Sequence, residues 1–233
     1  MQGVKKFYAT ALKRPQVVAT VHSAEGLRIA TRLGLGSVDI LEVRVDALAG
    51  QIESLRRLLP LLKLPVLLTV RHPAEGGLGG LGVRRRRELF AEFLPYAALV
   101  DVELRSVAAM DELISAAKGR GALVVISDHH FLRTPSLAHM REGERHAFAA
   151  GADVFKLATT TNDARSLARL LEFSALPAPG PRAVMGMGKF GQVSRLALAC
   201  AGSILNYGYL DKPNAPGQWE ARELRALIHN IIT

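Results

Sequence analysis

Lys156 lies in the short apolar stretch Ala152-Asp153-Val154-Phe155-Lys156-Leu157-Ala158, where an ammonium group is costly to bury unless it is paired or gives up its proton. A strand through this stretch turns Val154 and Lys156 to one face and Asp153, Phe155 and Leu157 to the other. A neutral lysine amine attacks a ketone to give an iminium ion, so the residue suits covalent chemistry. The plainer alternative is a lysine at a strand end reaching for solvent. The rest of the chain must decide between them.

Imine chemistry needs a base, an acid and groups that hold an anionic or hydroxylated substrate. Polar residues of these types recur where apolar stretches end: Glu42-Val43-Arg44-Val45-Asp46, Arg71-His72-Pro73-Ala74-Glu75-Gly76-Gly77, Asp101-Val102-Glu103 and Ser127-Asp128-His129-His130-Phe131. Two further segments continue the series, from Met185 to Arg195 and Asn214-Ala215-Pro216-Gly217-Gln218. Any one of these groups alone reads as an ion-pair member.

The elements that would position them alternate regularly. Apolar runs at 17–21, 38–43, 66–70, 99–103, 123–127, 153–157, 183–187 and 203–207 read as strands, and helix-like segments such as 106–118, 163–173 and 220–232 lie between or after them. Eight such units in 233 residues predict an α/β fold, a (β/α)8 TIM barrel, in which functional groups gather at the C-terminal ends of the strands. A doubly wound open sheet is the alternative, but no glycine-rich nucleotide fingerprint follows the first strand. No Pro/Gly/Ser-rich linker divides residues 1–233, so one catalytic domain is expected.

Composition narrows the classes. Hydrophobic residues make up 49% and aromatics only 6%, as in a soluble globular protein. No apolar run reaches the ~18 residues of a membrane span, and Met1-Gln2-Gly3-Val4-Lys5-Lys6 has no apolar secretory segment. A cytoplasmic protein without membrane association is therefore expected. The single cysteine, Cys200, excludes an internal disulfide and reads as core. The net charge of +9 and the run Arg84-Arg85-Arg86-Arg87 raise nucleic-acid binding. That run leads into Glu88-Leu89-Phe90-Ala91-Glu92-Phe93-Leu94, a helical pattern, and reads as a solvated helix start; no interleaved aromatics support nucleic acid as a partner.

Taken together, these motifs resemble the type I 3-dehydroquinate dehydratases. The resemblance spans nearly the whole chain: Glu42-x-Arg44-x-Asp46, Arg71 to Gly77, His129-x-Phe131, Lys156-x-Ala158, the Met185 to Arg195 loop, and Ala215-Pro216-Gly217-Gln218. It implies a hydro-lyase of the shikimate pathway that converts 3-dehydroquinate to 3-dehydroshikimate through a Schiff base on Lys156. His129 matches the general base and later acid, and Glu75 the carboxylate that orients it. Arg195 matches the residue that holds the substrate carboxylate. Glu42, Arg44, Arg71 and Gln218 match groups around the ring hydroxyls and reacting centre, and nearby arginines are expected to favour the neutral amine of Lys156. The resemblance implies no cofactor, no metal and a homodimer.

Three positions depart from the family pattern: Asn214 stands where the lid usually has serine, Tyr207 where phenylalanine is common, and His130 where an acid or amide is usual. Alternation allows only one of two adjacent histidines into the mouth, and Phe131 selects His129; His130 is expected to pack or face solvent. Glu103 is expected to face the mouth near Lys156; with Asp101 it raises a divalent metal, but the histidines and carboxylates show no ligand spacing typical of zinc. A Schiff-base barrel aldolase acting on sugar phosphates is the rival enzyme; backbone N–H groups of Gly188 to Gly191 would have to hold its phosphate.

Overall fold

The computed structural model describes residues 14–232; the reading of residues 1–6 lies outside them. Strand and helix alternate along the chain: β1 (Gln16–Val21), α1 (Ala24–Arg32), β2 (Ile40–Arg44), α2 (Ile52–Leu58), β3 (Val66–Thr69), α3 (Val83–Phe93), β4 (Leu99–Glu103), α4 (Asp111–Gly119), β5 (Leu123–His130), α5 (Leu137–Ala149), β6 (Val154–Thr160), α6 (Ala164–Ala175), β7 (Arg182–Met187), α7 (Gly191–Cys200), β8 (Leu205–Tyr209) and α8 (Ala221–Ile232). Three helix starts carry side-chain caps, with Ser23, Ser136 and Asp163 accepting from the first-turn N–H groups of α1, α5 and α6.

All paired strands run parallel, in the order β7-β6-β5-β4-β3-β2-β1-β8. The circle meets between β7 and β8, where the Ile204 N–H donates to the Arg182 carbonyl at 2.8 Å and the Val184 N–H donates to Ser203 Oγ at 3.0 Å. The architecture is the expected (β/α)8 barrel.

Side-chain alternation separates two cores. Val17, Ala19, Leu41, Leu68, Val124, Phe155 and Leu157 point outward and pack under the helices, whereas Val18, Ile40, Leu67, Leu99, Val125 and Val154 fill the barrel interior. Two residues further along five of these strands, the inward face turns polar: Thr20, Glu42, Thr69, Asp101 and Lys156, with Ser127 following Val125. The barrel thus has an apolar floor and a charged upper layer.

Several boundaries differ from the expected ones. β5 runs on to His130 and β6 to Thr160, because these two strands keep pairing up to His130 with Thr159. Lys156 is therefore an interior position of β6, not its end. The stretch 106–118 opens at the end of one 3-10 turn (Leu104–Ser106) and includes a second (Ala108–Met110) before α4. Arg86 corrects the reading of the basic run at one position: it is fully buried, while Arg84 and Arg85 are exposed and pair with Glu88 along α3. Cys200 is exposed at the end of α7, not core.

Candidate active site

Nine residues singled out above line one cavity of about 110 Å³ at the C-terminal mouth: Lys156, His129, Glu75, Glu42, Arg44, Arg71, Arg195, Gln218 and Asn214. Their elements differ, so the convergence is a product of the barrel.

Lys156 is only 4% exposed. Its Nζ donates to Asp101 Oδ2 at 2.8 Å, lies 3.5 Å from Glu42 Oε1, and sits 4.0 Å from the centroid of the Tyr207 ring. Burying an ammonium is tolerable here because carboxylates and an aromatic face meet it. Asp101 is itself clamped, accepting from both terminal nitrogens of Arg71 (2.8 and 2.9 Å) and from Ser127 Oγ (2.6 Å). Burial pushes the Asp101 carboxyl up, but Arg71 and Lys156 pull it harder the other way and hold it well below the usual carboxylate range. Glu42 accepts from Thr20 and Thr69 hydroxyls at 3.0 and 3.1 Å.

Glu103 does not reach the mouth as expected. Its carboxylate is sealed behind Arg71, bound to Arg71 (3.1 Å), the His72 N–H (2.8 Å) and the buried Arg86 (2.5 Å). This arrangement explains Arg86: it supplies the counter-charge that lets Glu103 brace Arg71 in the interior.

His129 Nδ1 lies 2.8 Å from Glu75 Oε2, and its ring stacks on Phe131 with 6.2 Å between centroids. Burial, reinforced by Arg71 and Lys156, holds the imidazole well below its usual range, so it is neutral at pH 7. Burial likewise raises the Glu75 carboxyl to about 7. Only one proton sits between these two groups, and the pair titrates as a unit. With Glu75 ionised, Nδ1 carries that proton and Nε2 keeps its lone pair; Nε2 has no protein partner among the described residues. His130 turns the other way and bonds Asp128.

Glu75 reaches the histidine because the chain folds back sharply after it. A Cβ on Gly77 would stand 2.2 Å from the Arg71 carbonyl oxygen, so only glycine fits that return. Arg44 grips Asp46 through Nε (2.9 Å) and a terminal nitrogen (2.7 Å) and ties to the Gly76 carbonyl at 3.0 Å.

Arg195 differs from the other buried cations. It rises from α7, is 2% exposed, and among the described residues donates to the carbonyls of Tyr207 (2.7 Å) and Gly217 (3.3 Å). It meets no carboxylate among the described residues, and burial lowers its guanidinium to about 10, so it stays charged at pH 7. A buried cation that meets no counter-ion beside a cavity can receive an anion.

The lid crosses above it. Gln218 Oε1 accepts from the backbone N–H groups of Asn214 (2.9 Å) and Ala215 (3.3 Å), and Trp219 donates to the Gln192 carbonyl at 3.0 Å. Gly217 has φ 74° and passes so close to Gly188 and Gly191 that a Cβ would clash with both. The backbone N–H groups on the neighbouring loop are already spent: Gly188 donates to Pro216, Lys189 to the Asn162 side chain, Phe190 to Thr161 and Gly191 to Gly188. They leave no phosphate cradle, which disfavours the sugar-phosphate rival.

Asp101 and Tyr207 were not among the expected site residues, and both matter to the lysine. Asp101 carried the same signal as Lys156, a charged residue two positions after an inward apolar one (Leu99). Tyr207 could not be placed, since a tyrosine in an apolar strand reads as core.

Comparison with known proteins agrees with this geometry. Residues 17–232 match the family described as type I 3-dehydroquinase. The 3-dehydroquinate dehydratase of Methanocella arvoryzae is 36% identical over 211 residues, covering 90% of this chain and 94% of its own. The crystal structure of the enzyme of that name from Aquifex aeolicus superposes with a TM-score of 0.77 at 32% identity, over 93% of this chain and 98% of its own. The type I enzyme from Clostridium difficile, solved with covalently modified comenic acid, gives 0.83 at 26% identity, over 94% and 92% of the two chains.

Proposed function

This chain belongs to the type I 3-dehydroquinase family, and from that premise we propose how its residues act. The chain is a hydro-lyase that removes water from 3-dehydroquinate to give 3-dehydroshikimate. Arg195 takes the substrate carboxylate in a forked ion pair. Lys156 loses its proton, adds to the ring ketone and, with loss of water, forms an iminium ion.

The iminium is the electron sink, so a modest base suffices for the adjacent C–H. Nε2 of neutral His129 removes that proton, and Glu75 stabilises the imidazolium through Nδ1. The resulting enamine expels the β-hydroxyl, which His129 protonates so that it leaves as water. Water then hydrolyses the iminium and frees Lys156. Asp101 serves as counter-ion while the lysine is charged, and Glu42, Arg44, Arg71, Gln218 and Asn214 surround the ring hydroxyls. No cofactor is required, because the imine supplies the electron acceptor.

The observation that carries this reading is one small cavity holding a buried lysine, a neutral histidine on a carboxylate, and a counter-ion-free arginine. The Clostridium difficile structure, solved with covalently modified comenic acid, supports a covalent route. One catalytic domain, pairing of two copies and work in the cytoplasm belong to the same proposal; light scattering and cell fractionation test the last two. The direct test is borohydride reduction with 3-dehydroquinate followed by peptide mass spectrometry. A stable adduct on Lys156 is expected; an unmodified lysine in an active preparation would overturn the covalent route.

A further inference from the structure

Residues on either side of His129 face away from the cavity. Asp128 and His130 turn from β5 toward α5, where the absence of a side chain on Gly143 leaves room: a Cβ there would stand 3.3 Å from Asp128 Oδ2. Asp128 Oδ2 and His130 Nε2 are 2.9 Å apart. From the first turn of α5, His139 brings its ring to 5.4 Å from that of His130, edge to face at 76°. One donor atom from each of the three lies within 4.8 Å of the others.

Two imidazoles and a carboxylate are the donor set of zinc and its first-row neighbours. Ligand atoms held at ~2.0–2.2 Å from one ion stand roughly 3 to 3.5 Å apart. Asp128 and His130, 2.9 Å apart, lie just inside that spacing, and the exposed His139 has a donor atom within 4.8 Å of theirs. A hydrogen bond explains why Asp128 and His130 sit together but says nothing of the third residue. An open groove of about 830 Å³, lined by Leu132, Arg133 and Arg169 as well as both histidines, leaves room for water or a small anion to complete the coordination.

We propose that Asp128, His130 and His139 form a divalent transition-metal site, best matched to Zn²⁺, that staples the end of β5 to the start of α5. The staple closes the 131–136 segment, which carries the Phe131 ring stacked on His129. It lies across the β5 backbone from Lys156 and supplies no group to the dehydration, so it stands apart from the reaction proposed above. The sequence spacing did not suggest it, because Asp-x-His followed by a distant histidine becomes a cluster only once strand and helix are packed.

Metal-stripped protein titrated with Co²⁺ as an optical probe, with Zn²⁺ as competitor, tests the site. The wild type should take up a single equivalent at micromolar concentration with visible d–d bands that Zn²⁺ abolishes, and Zn²⁺ should raise its melting temperature. His139→Ala and Asp128→Asn should lose that equivalent, and His139→Ala should keep metal-free turnover and melting at wild-type values. Zn²⁺ should slow amide exchange across 131–136 in the wild type alone. Absence of binding in the wild type, or equal binding by His139→Ala, would overturn the site; bound metal with unchanged exchange would overturn the staple.

Discussion

Lys156 and Asp101, contributed by β6 and β4, form a buried ion pair 2.8 Å long in which the carboxylate also carries both terminal nitrogens of Arg71. One acid therefore compensates two interior cations. Asp101→Asn should cost about 3–5 kcal/mol of stability, as expected when one partner of a buried pair is removed, and should suppress borohydride trapping at Lys156. Chemical denaturation and adduct yield check the two effects; an unchanged midpoint would mean that Glu42 and Glu103 suffice for these cations.

Lysine and histidine substitutions should separate capture from elimination. Lys156→Ala is expected to abolish both turnover and trapping. His129→Ala is expected to retain trapping while losing about 10²–10⁴-fold in turnover, the usual contribution of a positioned acid–base group. Near-normal turnover in the histidine variant would remove His129 from its role.

Glu75 links activity to pH. Its carboxyl titrates at about 7, and its ionised form keeps the His129 Nε2 lone pair available, so kcat/KM should fall as pH drops through about 7. Glu75→Gln should lower activity and erase that limb. A flat profile in the wild type between pH 6 and 8 would contradict the assignment.

The same group carries a stability signature of opposite sense. Its folded value lies above the ordinary 4.5, so its contribution is fully present below pH 4.5 and is lost as pH rises to about 7. A shift of that size corresponds to about 3 kcal/mol. Melting curves of wild type and Glu75→Gln should therefore diverge in favour of the variant between pH 5 and 8.

Arg195→Lys keeps a charge but not the planar fork that spans two backbone carbonyls and an anion. KM for 3-dehydroquinate should rise about 10- to 100-fold, in line with 1.5–3 kcal/mol for a charged hydrogen bond. Steady-state kinetics check this; an unchanged KM would move carboxylate binding elsewhere.

The Tyr207 hydroxyl is buried without a hydrogen-bond partner among the described residues, and burial, with Glu42 and Asp101 nearby, holds its phenol well above the usual range. Tyr207→Phe removes the orphaned group and keeps the ring beneath Lys156. Ligand-free protein should gain about 1–3 kcal/mol, read as a higher melting temperature. A lower one would mean that the hydroxyl has a partner.

Much of this site is legible one strand at a time. Inward and outward faces alternate with period two, so a lysine after Val154, a glutamate after Ile40 and an aspartate after Leu99 mark the polar end of a barrel strand without knowledge of its neighbours. The glycines around Glu75 and Gln218 are legible for a related reason, since backbone folded back on itself excludes any Cβ. Local rules of this kind located the barrel and the polar residues at its mouth, whereas the resemblance to a family assigned Arg195, Gln218 and Asn214 to the substrate.

What depended on tertiary structure was partnership. Arg86 reads as one of four surface arginines until β4 brings Glu103 beneath it, and Glu103 reads as a mouth residue until Arg71 covers it. Asp128, His130 and His139 become neighbours only when α5 docks on β5. The local pattern of the chain determines which face a side chain takes, because backbone geometry repeats every two or 3.6 residues. Which charge it meets is decided by packing between segments tens of residues apart, where burial makes each unpaired charge expensive and so dictates the pairing.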